Sequence, residues 1–466
     1  MPFKQYLFIL ATILLVLPDS FGQVVTIKSI EIRGLKKTRE EIVHRELNME
    51  VGDTLVQTEL SETIERNRNN LLNLGLFNGV EINISEWDTE GNEIEIVIEV
   101  RESWYIYAVP IVEIADRNFN VWWTTYNHDL KRLNLGARLD YLNFTGRNDK
   151  LKAKWQFGYT PKQEIEYRFP YLNKRQSLGV TMGMLHSINK EVSYESRNNQ
   201  EEFIMLDERK LQDKVRALVK LQYRPTHYLR QELEWTFEQI KIDTGVLIYN
   251  PNYFRNGDTK HSSLAVKYSY EYDDRDLRIY PSKGIKALFE AEKRGWGNDD
   301  DENTLTSTIS MEWNHSIGKR WLHRLSGVGH YSLSRRQPSY IHYRALGYGQ
   351  KFVRGYELYV IDGLDYLIGK YQISYRLLQK QVDFGKMIPV EQFRKMPLEA
   401  FLSLHLESGR VTDPFTGDKN PLANNWLFGQ GLGLNVLLYH NFLIQLNMNR
   451  NHLGEWGFFI HNHTSF

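Results

Sequence analysis

Apolar and polar residues alternate along this chain with two different periods, and the period changes near residue 102. "VVTIKSIEIRG", from residue 24, alternates with period two as a half-buried strand does, and stops at Gly34. "KTREEIVHRELN" then opens a helix, with Thr38 and Glu41 at capping-box spacing. A second helix runs through "TELSETIERNRNNLLNLG", turns Leu60, Ile64, Leu71 and Leu72 inward, and ends at Gly75. "FNGVEINIS" and "NEIEIVIEV" return to period two, so residues 24–101 read as one small domain of order β-α-α-β-β.

From Ser103 to Phe466 the period stays at two. Candidate strands cover 103–115, 132–144, 149–159, 162–170, 177–189, 212–224, 228–242, 260–273, 282–295, 303–316, 320–334, 366–378, 397–409, 427–438, 441–449 and 455–466, sixteen in all. Odd-numbered connections include the long loops around 115–132, 189–212, 242–260, 334–366 and 409–427. Even-numbered ones are mostly tight: "TGRND", "RPTH", "IGKR" and "YHN". Long loops at one end and short turns at the other mark a membrane-spanning β-barrel. Two connections depart from this: the turn after the third strand is short, and residues 379–396 are long on the tight side.

The strand faces point the same way. Leu398, Ala400, Leu402, Leu404 and Leu406 share one face of their strand, and Glu399, Ser403, His405 and Glu407 share the other. In 366–378, Leu367, Tyr371, Ile373, Tyr375 and Leu377 oppose Lys370, Gln372, Ser374 and Arg376. An apolar outer face around a polar lumen is what a barrel in lipid requires, and a soluble sandwich would leave many tyrosines unexplained.

Composition narrows the class further. Lys+Arg and Asp+Glu number 58 each, so net charge gives no argument for nucleic acid. There is no cysteine, which excludes disulfides, thiolate metal sites, cysteine nucleophiles and acylation at a cysteine. Aromatic residues make up 13% of the chain, with 27 tyrosines, as expected of girdles at the two membrane interfaces. Residues 1–22 read as a secretory signal: Lys4, the apolar "YLFILATILLVLP", then Ser20 and Gly22 for cleavage before Gln23. That apolar core is short of the roughly 20 residues a spanning helix needs. No Ser-His-acid pattern, phosphate loop or HExxH is present, so no enzyme activity is expected. His461 and His463 alternate toward the lumen but lack a third ligand, and Ser465 with His463 faces away from lipid; neither metal nor cofactor is expected.

Several segments closely resemble the BamA/TamA superfamily of bacterial outer-membrane assembly and translocation proteins. The first domain resembles a POTRA module, with Gly34, Gly52 in "VGD", and Gly75, Phe77 and Val80 in "LGLFNGVEI". "YLNFTGRNDKLKAKWQFG" and "YRFPYL" resemble the family's second to fourth strands. Asp274, Asp276, Pro281 and Gly284 in "YDDRDLRIYPSKG" resemble its Asp-rich turn. Phe458, Ile460 and Phe466 resemble its C-terminal strand signal, and Arg354, Gly355 and Tyr356 in "FVRGYE" resemble the motif of its sixth outer loop. The implied fold is mostly β: a 16-stranded antiparallel transmembrane β-barrel (103–466) preceded by one α/β POTRA domain (24–101), with loop 335–365 folded into the lumen.

A guanidinium inside a narrow barrel needs a fixed carboxylate to offset its desolvation. The resemblance places that acid on the thirteenth strand, where this chain has Glu407, with Asp362, Asp365 and Glu357 as competing partners. Gly355 would then form the tight turn at the loop tip, and Tyr356 would pack on the inner wall. Ser374 stands where the family often has a second acid. The implied role is assembly or insertion of outer-membrane proteins, or translocation of a polypeptide. It would use β-augmentation at the strand 77–86 and a seam between strands 103–115 and 455–466, near Gly454 and Gly457. The alternative is a passive channel or surface antigen. Expected partners are unfolded outer-membrane or secreted polypeptides, periplasmic chaperones or accessory lipoproteins, and membrane lipids, but not nucleic acid. The expected location is the outer membrane, with the POTRA domain in the periplasm.

Overall fold

The computed structural model describes residues 23–114, 127–207, 209–296, 302–349, 351–415 and 417–464; residues 1–22, read above as a secretory signal, and the terminal Ser465 and Phe466 lie outside them, as does the side chain of His463. The first domain consists of β1 (Val24–Arg33), α1 (Glu40–Glu46), β2 (Thr54–Val56), α2 (Leu60–Leu72), β3 (Phe77–Asp88) and β4 (Glu93–Glu102). Its sheet order is β2-β1-β4-β3, with β1 parallel to β4 and the other pairs antiparallel. The short β2 adds a strand to the expected β-α-α-β-β order; three residues are too few for an alternation to register. Val25, Ile27, Ile42, Leu71, Phe77, Val80, Ile96 and Ile98 form the core between sheet and helices. Gly34, Gly52 and Gly75 stand at its turns with φ of 92°, 95° and 71°.

The expected capping box does not form. The N-cap of α1 is Arg39, without a side-chain cap. The Thr38 hydroxyl instead meets the Tyr105 hydroxyl at 2.9 Å and accepts from Asn143 at 2.9 Å. Glu102, from β4, takes the backbone N–H groups of Lys36, Lys37 and Thr38. A distant carboxylate with a fixed strand position has displaced the local cap.

The barrel strands are β5 (Ile106–Ile114), β6 (Leu133–Leu142), β7 (Lys150–Gly158), β8 (Lys162–Phe169) and β9 (Leu178–Asn189). A hairpin of β10 (Glu191–Arg197) and β11 (Gln200–Met205) stands apart as its own two-stranded sheet. The wall resumes with β12 (Gln212–Tyr223), β13 (Leu229–Ile242), β14 (Lys260–Asp273), β15 (Gly284–Arg294), β16 (Thr304–Ile317) and β17 (Trp321–Ser332). It ends with β18 (Asp365–Asp383), β19 (Lys395–Thr412), β20 (Trp426–Leu438), β21 (Phe442–Asn451) and β22 (Trp456–Thr464). A single turn of helix, α3 (Thr244–Tyr249), sits in the loop before β14. The sixteen wall strands are joined antiparallel in chain order from β5 to β22. The connection expected at 379–396 is largely strand: β18 and β19 extend past the rest of the short-turn end and pair from Arg376 to Asp383, leaving a turn of 384–394.

Exposure alternates as lipid on one side and a packed lumen on the other require. Leu402, Leu404 and Leu406 are 48%, 42% and 45% exposed, whereas Ser403, His405 and Glu407 are buried. Exposed Trp313 and Trp321 ring the short-turn end, and exposed Tyr331, Trp426 and Trp456 ring the other, as interfacial girdles do. The sheet curls on itself: the Tyr280 hydroxyl, from the turn after β14, bonds Ser374 on β18 at 3.0 Å and Asn435 on β20 at 3.2 Å. Two of the turn's acids organise its backbone. Asp276 accepts from Leu277 N and Ser282 N, and Asp274 accepts from Ile285 N, around Pro281 and a Gly284 with φ of 106°.

The first domain docks on the short-turn end. Asn73 donates to Asp276 O at 2.8 Å and accepts from Arg278 N at 2.9 Å. Asn78 reaches Gln392 O, Lys36 pairs with Glu391, and Arg39 N bonds Gly146 O. Glu46 on α1 is buried and takes two hydrogen bonds from Arg224, at 2.6 and 2.8 Å. Between domain and wall lies a cavity of about 330 Å³ lined by cations including Lys150, Arg168, Arg230 and Arg278. Burial pushes the Glu46 carboxyl up, but the Arg224 charge and hydrogen bonds, with Arg45 and His227 beside them, hold it below the usual carboxylate range. A depressed pKa means that this pair stabilises docking above the ordinary carboxylate pKa and is lost as pH falls through the folded value. Arg224→Ala, which strands a buried carboxylate, is expected to weaken docking by about 3–5 kcal/mol. Limited proteolysis of residues 23–102 should accelerate in that variant and, in the wild type, on acidification; unchanged cleavage in both would refute the pair as the docking contact.

Candidate functional site: the lumenal loop and the strand seam

The segment between β17 and β18 is far longer than a hairpin needs, and it folds inward. Ala345, Leu346, Val353, Tyr356 and Ile361 pack in one cluster with Tyr366, Ile368, Val411 and Leu427 from the wall. A loop with its own apolar core is held in place, because exposing those side chains to water would cost the burial that forms it.

At the loop tip, Arg354 Nη1 donates to Glu407 Oε1 at 2.7 Å, and the Arg354 backbone N–H donates to Glu407 Oε2 at 2.9 Å. Nη1 also donates to His405 Nδ1 at 2.8 Å. Lys370 Nζ lies 3.1 Å from Glu407 Oε2 and donates to Phe352 O at 2.8 Å. One buried carboxylate therefore faces two cations, one from the loop and one from the wall. Of the competing acids, Asp362 accepts from Ser196 and from Tyr348 at 2.6 Å, Asp365 pairs with Arg335 at 2.6 Å, and Glu357 accepts from Gly355 N and Asn449. Each has other partners.

Backbone approach fixes the tip. Gly355 has φ of 90° and its carbonyl accepts from Asn451 at 3.0 Å. A Cβ on Gly429 of β20 would lie 1.8 Å from Arg354 O, so only glycine at that wall position admits the loop. The Tyr356 hydroxyl meets His452 Nδ1, and its ring is buried against the wall. Lys370 and His405 were not anticipated as partners, although both were assigned to the inward face. The register supplies what alternation alone omits: Lys370 stands directly opposite Glu407. Ser374 belongs to a separate network with Ser403, Gln372 and Tyr280 nearer the short-turn end.

The second feature is an edge. β5 and β22 end the strand order, and among the described residues no ladder joins them. Leu142 N bonds Tyr105 O at 2.7 Å, so alternation along β5 turns Tyr107, Val109 and Ile111 toward β6 and the backbone groups of Ala108, Pro110 and Val112 toward the open side. Pro110 has no N–H, and a proline in a paired strand belongs at an edge. On β22, Phe458 and Ile460 are each 66% exposed on the outer face. The side chain of His461 contacts Asn447 at 3.2 Å and stacks on Phe352 of the loop. In the first domain, β3 is also an edge, with Arg68 donating to Val80 O at 3.1 Å.

Two family models match the chain. Residues 25–103 match the POTRA model, surface antigen variable number repeat, and residues 143–370 match the Omp85 superfamily domain. The chain belongs to the Omp85 superfamily. Among solved structures, it is similar to BamA from Haemophilus ducreyi lacking POTRA domains 1–3, at 12% identity and a TM-score of 0.51, covering 94% of this chain and 84% of that one. It is likewise similar to CdiB from Acinetobacter baumannii, at 12% identity and a TM-score of 0.50, covering 95% of this chain and 74% of that one. At such identity these likenesses describe the fold. No curated protein matches the sequence. The family supports a general role in outer-membrane protein insertion or translocation, and it implies an outer-membrane barrel with the POTRA domain in the periplasm. Its relatives are transporters or assembly factors rather than enzymes.

Arg354→Ala is expected to destabilise the folded barrel by about 2–3 kcal/mol, less than a fully orphaned charge because Lys370 still faces Glu407. Folded yield and heat-resistant gel migration should fall, Glu407→Ala should do the same, and the double variant should lose less than the sum. Gly429→Ala should mimic them by displacing the loop backbone. Fully additive losses would argue against the pair.

Proposed function

We propose that the protein assists the assembly of outer-membrane proteins, or the passage of a polypeptide, by offering client strands two edges in turn. The observation that carries this reading is the open side of β5, which no ladder joins to β22 among the described residues and which has a proline where a donor would sit. A strand edge templates incoming strands through its free backbone groups. The periplasmic β3 edge captures an extended segment first; the seam then pairs with it, and burial of the client's apolar face in lipid drives insertion without a nucleotide. Unfolded outer-membrane or secreted polypeptides are the clients, membrane lipids are the medium, and periplasmic chaperones or accessory lipoproteins are the suppliers.

The lumen supports this over a passive channel. The loop core and the Arg354–Glu407 contact occupy part of the outer lumen, and the POTRA domain docks on the short-turn end. The latch holds the wall in one conformation while the seam works, which is a structural task and leaves Arg354 no ligand to bind. Depletion followed by quantitative outer-membrane proteomics should show loss of other barrels; an unchanged proteome with altered permeability would overturn the reading in favour of a pore. Because the chain has no cysteine, a disulfide between one cysteine on β5 and one on β22 tests the seam cleanly. Full activity with that bond closed would eliminate seam opening. Pro110→Val, which restores an edge donor, is expected to lower activity while leaving folding intact.

A further inference from the structure

At the outer end of the lumen, remote from the latch, three side chains from different elements converge. His261 is the second residue of β14, Glu302 precedes β16, and His342 lies in a short turn (Tyr340–His342) at the foot of the lumenal loop. Their potential donor atoms all lie within 4.8 Å of one another, and His261 and Glu302 are buried. His342 Nδ1 stands 3.0 Å from Glu302 Oε1 and 3.1 Å from the Ser339 hydroxyl, so the ring is held with this nitrogen turned toward the cluster.

Two further observations point to a ligand. Glu302 Oε1 is already used, accepting from Ser339 N at 3.0 Å and from the Ser339 hydroxyl, whereas its buried Oε2 has no partner. A buried carboxylate oxygen left bare costs free energy that a bound cation removes. On the far side of the His342 ring, Nε2 lies 3.6 Å from Glu238 Oε1, and Glu238 is itself fixed by Lys214 at 2.5 Å. A histidine presenting one nitrogen to a shared centre and the other to an anchored carboxylate is the arrangement by which proteins orient metal-binding imidazoles. Glu302 brings one negative charge to the centre, and the charge of Glu238 is shared with Lys214. Two imidazoles and a carboxylate suit zinc-class transition ions, whereas calcium and magnesium favour all-oxygen sets.

We propose that His261, Glu302 and His342 bind one divalent transition-metal ion of the zinc class, with Glu238 orienting His342. The ion ties the foot of the lumenal loop to β14 and to the segment entering β16, a second fastening independent of Arg354. It is a structural site, and its role does not depend on what the seam carries.

The test uses the full-length protein folded in detergent, loaded with zinc sulfate, desalted and assayed for metal by mass spectrometry. One zinc per chain is expected, and the chelator EDTA should lower the unfolding temperature. His261→Ala and Glu302→Gln should each abolish stoichiometric zinc, and Glu238→Gln should weaken it about tenfold or more. His461→Ala should leave it unchanged. If the ligand variants fail to fold, cobalt(II) substitution of the wild type decides the matter: visible bands of nitrogen- and oxygen-bound tetrahedral cobalt support the site. The spectrum of hydrated cobalt, a wild type without stoichiometric zinc, or zinc retained in a His261→Ala/His342→Ala variant would overturn it. A cluster held by a proton on His342 would appear as one of those failures.

Discussion

A carboxylate sealed inside a lipid-surrounded barrel must be met by positive charge, and much of the outer lumen is arranged around that requirement at Glu407. The strand fixes its position and the neighbouring strand supplies Lys370 in register, so the loop's guanidinium completes a site whose other half is already rigid. The loop's path follows from there. Its backbone must pass close enough to β20 for Arg354 to hydrogen-bond through both its side chain and its amide, which requires a wall without a side chain at Gly429. The apolar cluster around Val353 and Tyr356 then fills the space the descent creates. Charge sets the address, and packing makes it stable.

The opposite mouth is organised on another principle. There the POTRA domain touches several short turns through small polar contacts, most of them to backbone atoms, with Glu46–Arg224 as the buried ionic pair among them. Backbone contacts specify geometry with little dependence on the turn's own side chains. The domain therefore sits in a defined orientation, with β3 an edge of its sheet that also lends Asn78 to the contact. The long β18 and β19 reach past the wall toward it, and their turn supplies Glu391 and Gln392 to the contact.

Period, loop alternation and face assignment were legible in the sequence because each is a repeating pattern that lipid enforces on every strand. The Arg354–Glu407 pairing was legible only through resemblance; no local rule links residues so far apart. What stayed hidden has identifiable causes. Lys370 needed the strand register, which alternation cannot supply, and the His405 contact needed the path of the loop that brings Arg354 beside it. β2 was too short to show a period, and the hairpin β10–β11 and α3 lay inside segments read as loop. The capping box failed because Glu102, distant in sequence, outcompeted a local Thr-Glu pattern. The His261, Glu302 and His342 cluster has ligands on three elements, with none of the close spacing that marks a metal motif. Pro110 went unread in the sequence, although a proline midway along a strand favours an edge position; its meaning came with the β5–β6 register, which turns its missing donor to the open side.

That proline has a kinetic consequence. Any chain that lies along the open side of β5, whether β22 or a guest, meets a missing donor at the midpoint. The contact is thereby divided into two short zippers rather than one long one. Two short zippers open piecemeal, each crossing a small barrier, where an unbroken ladder would have to give way almost at once. On the proposed reading of the seam, Pro110 suits the edge to holding a strand briefly rather than keeping it, which is the property a reusable template needs.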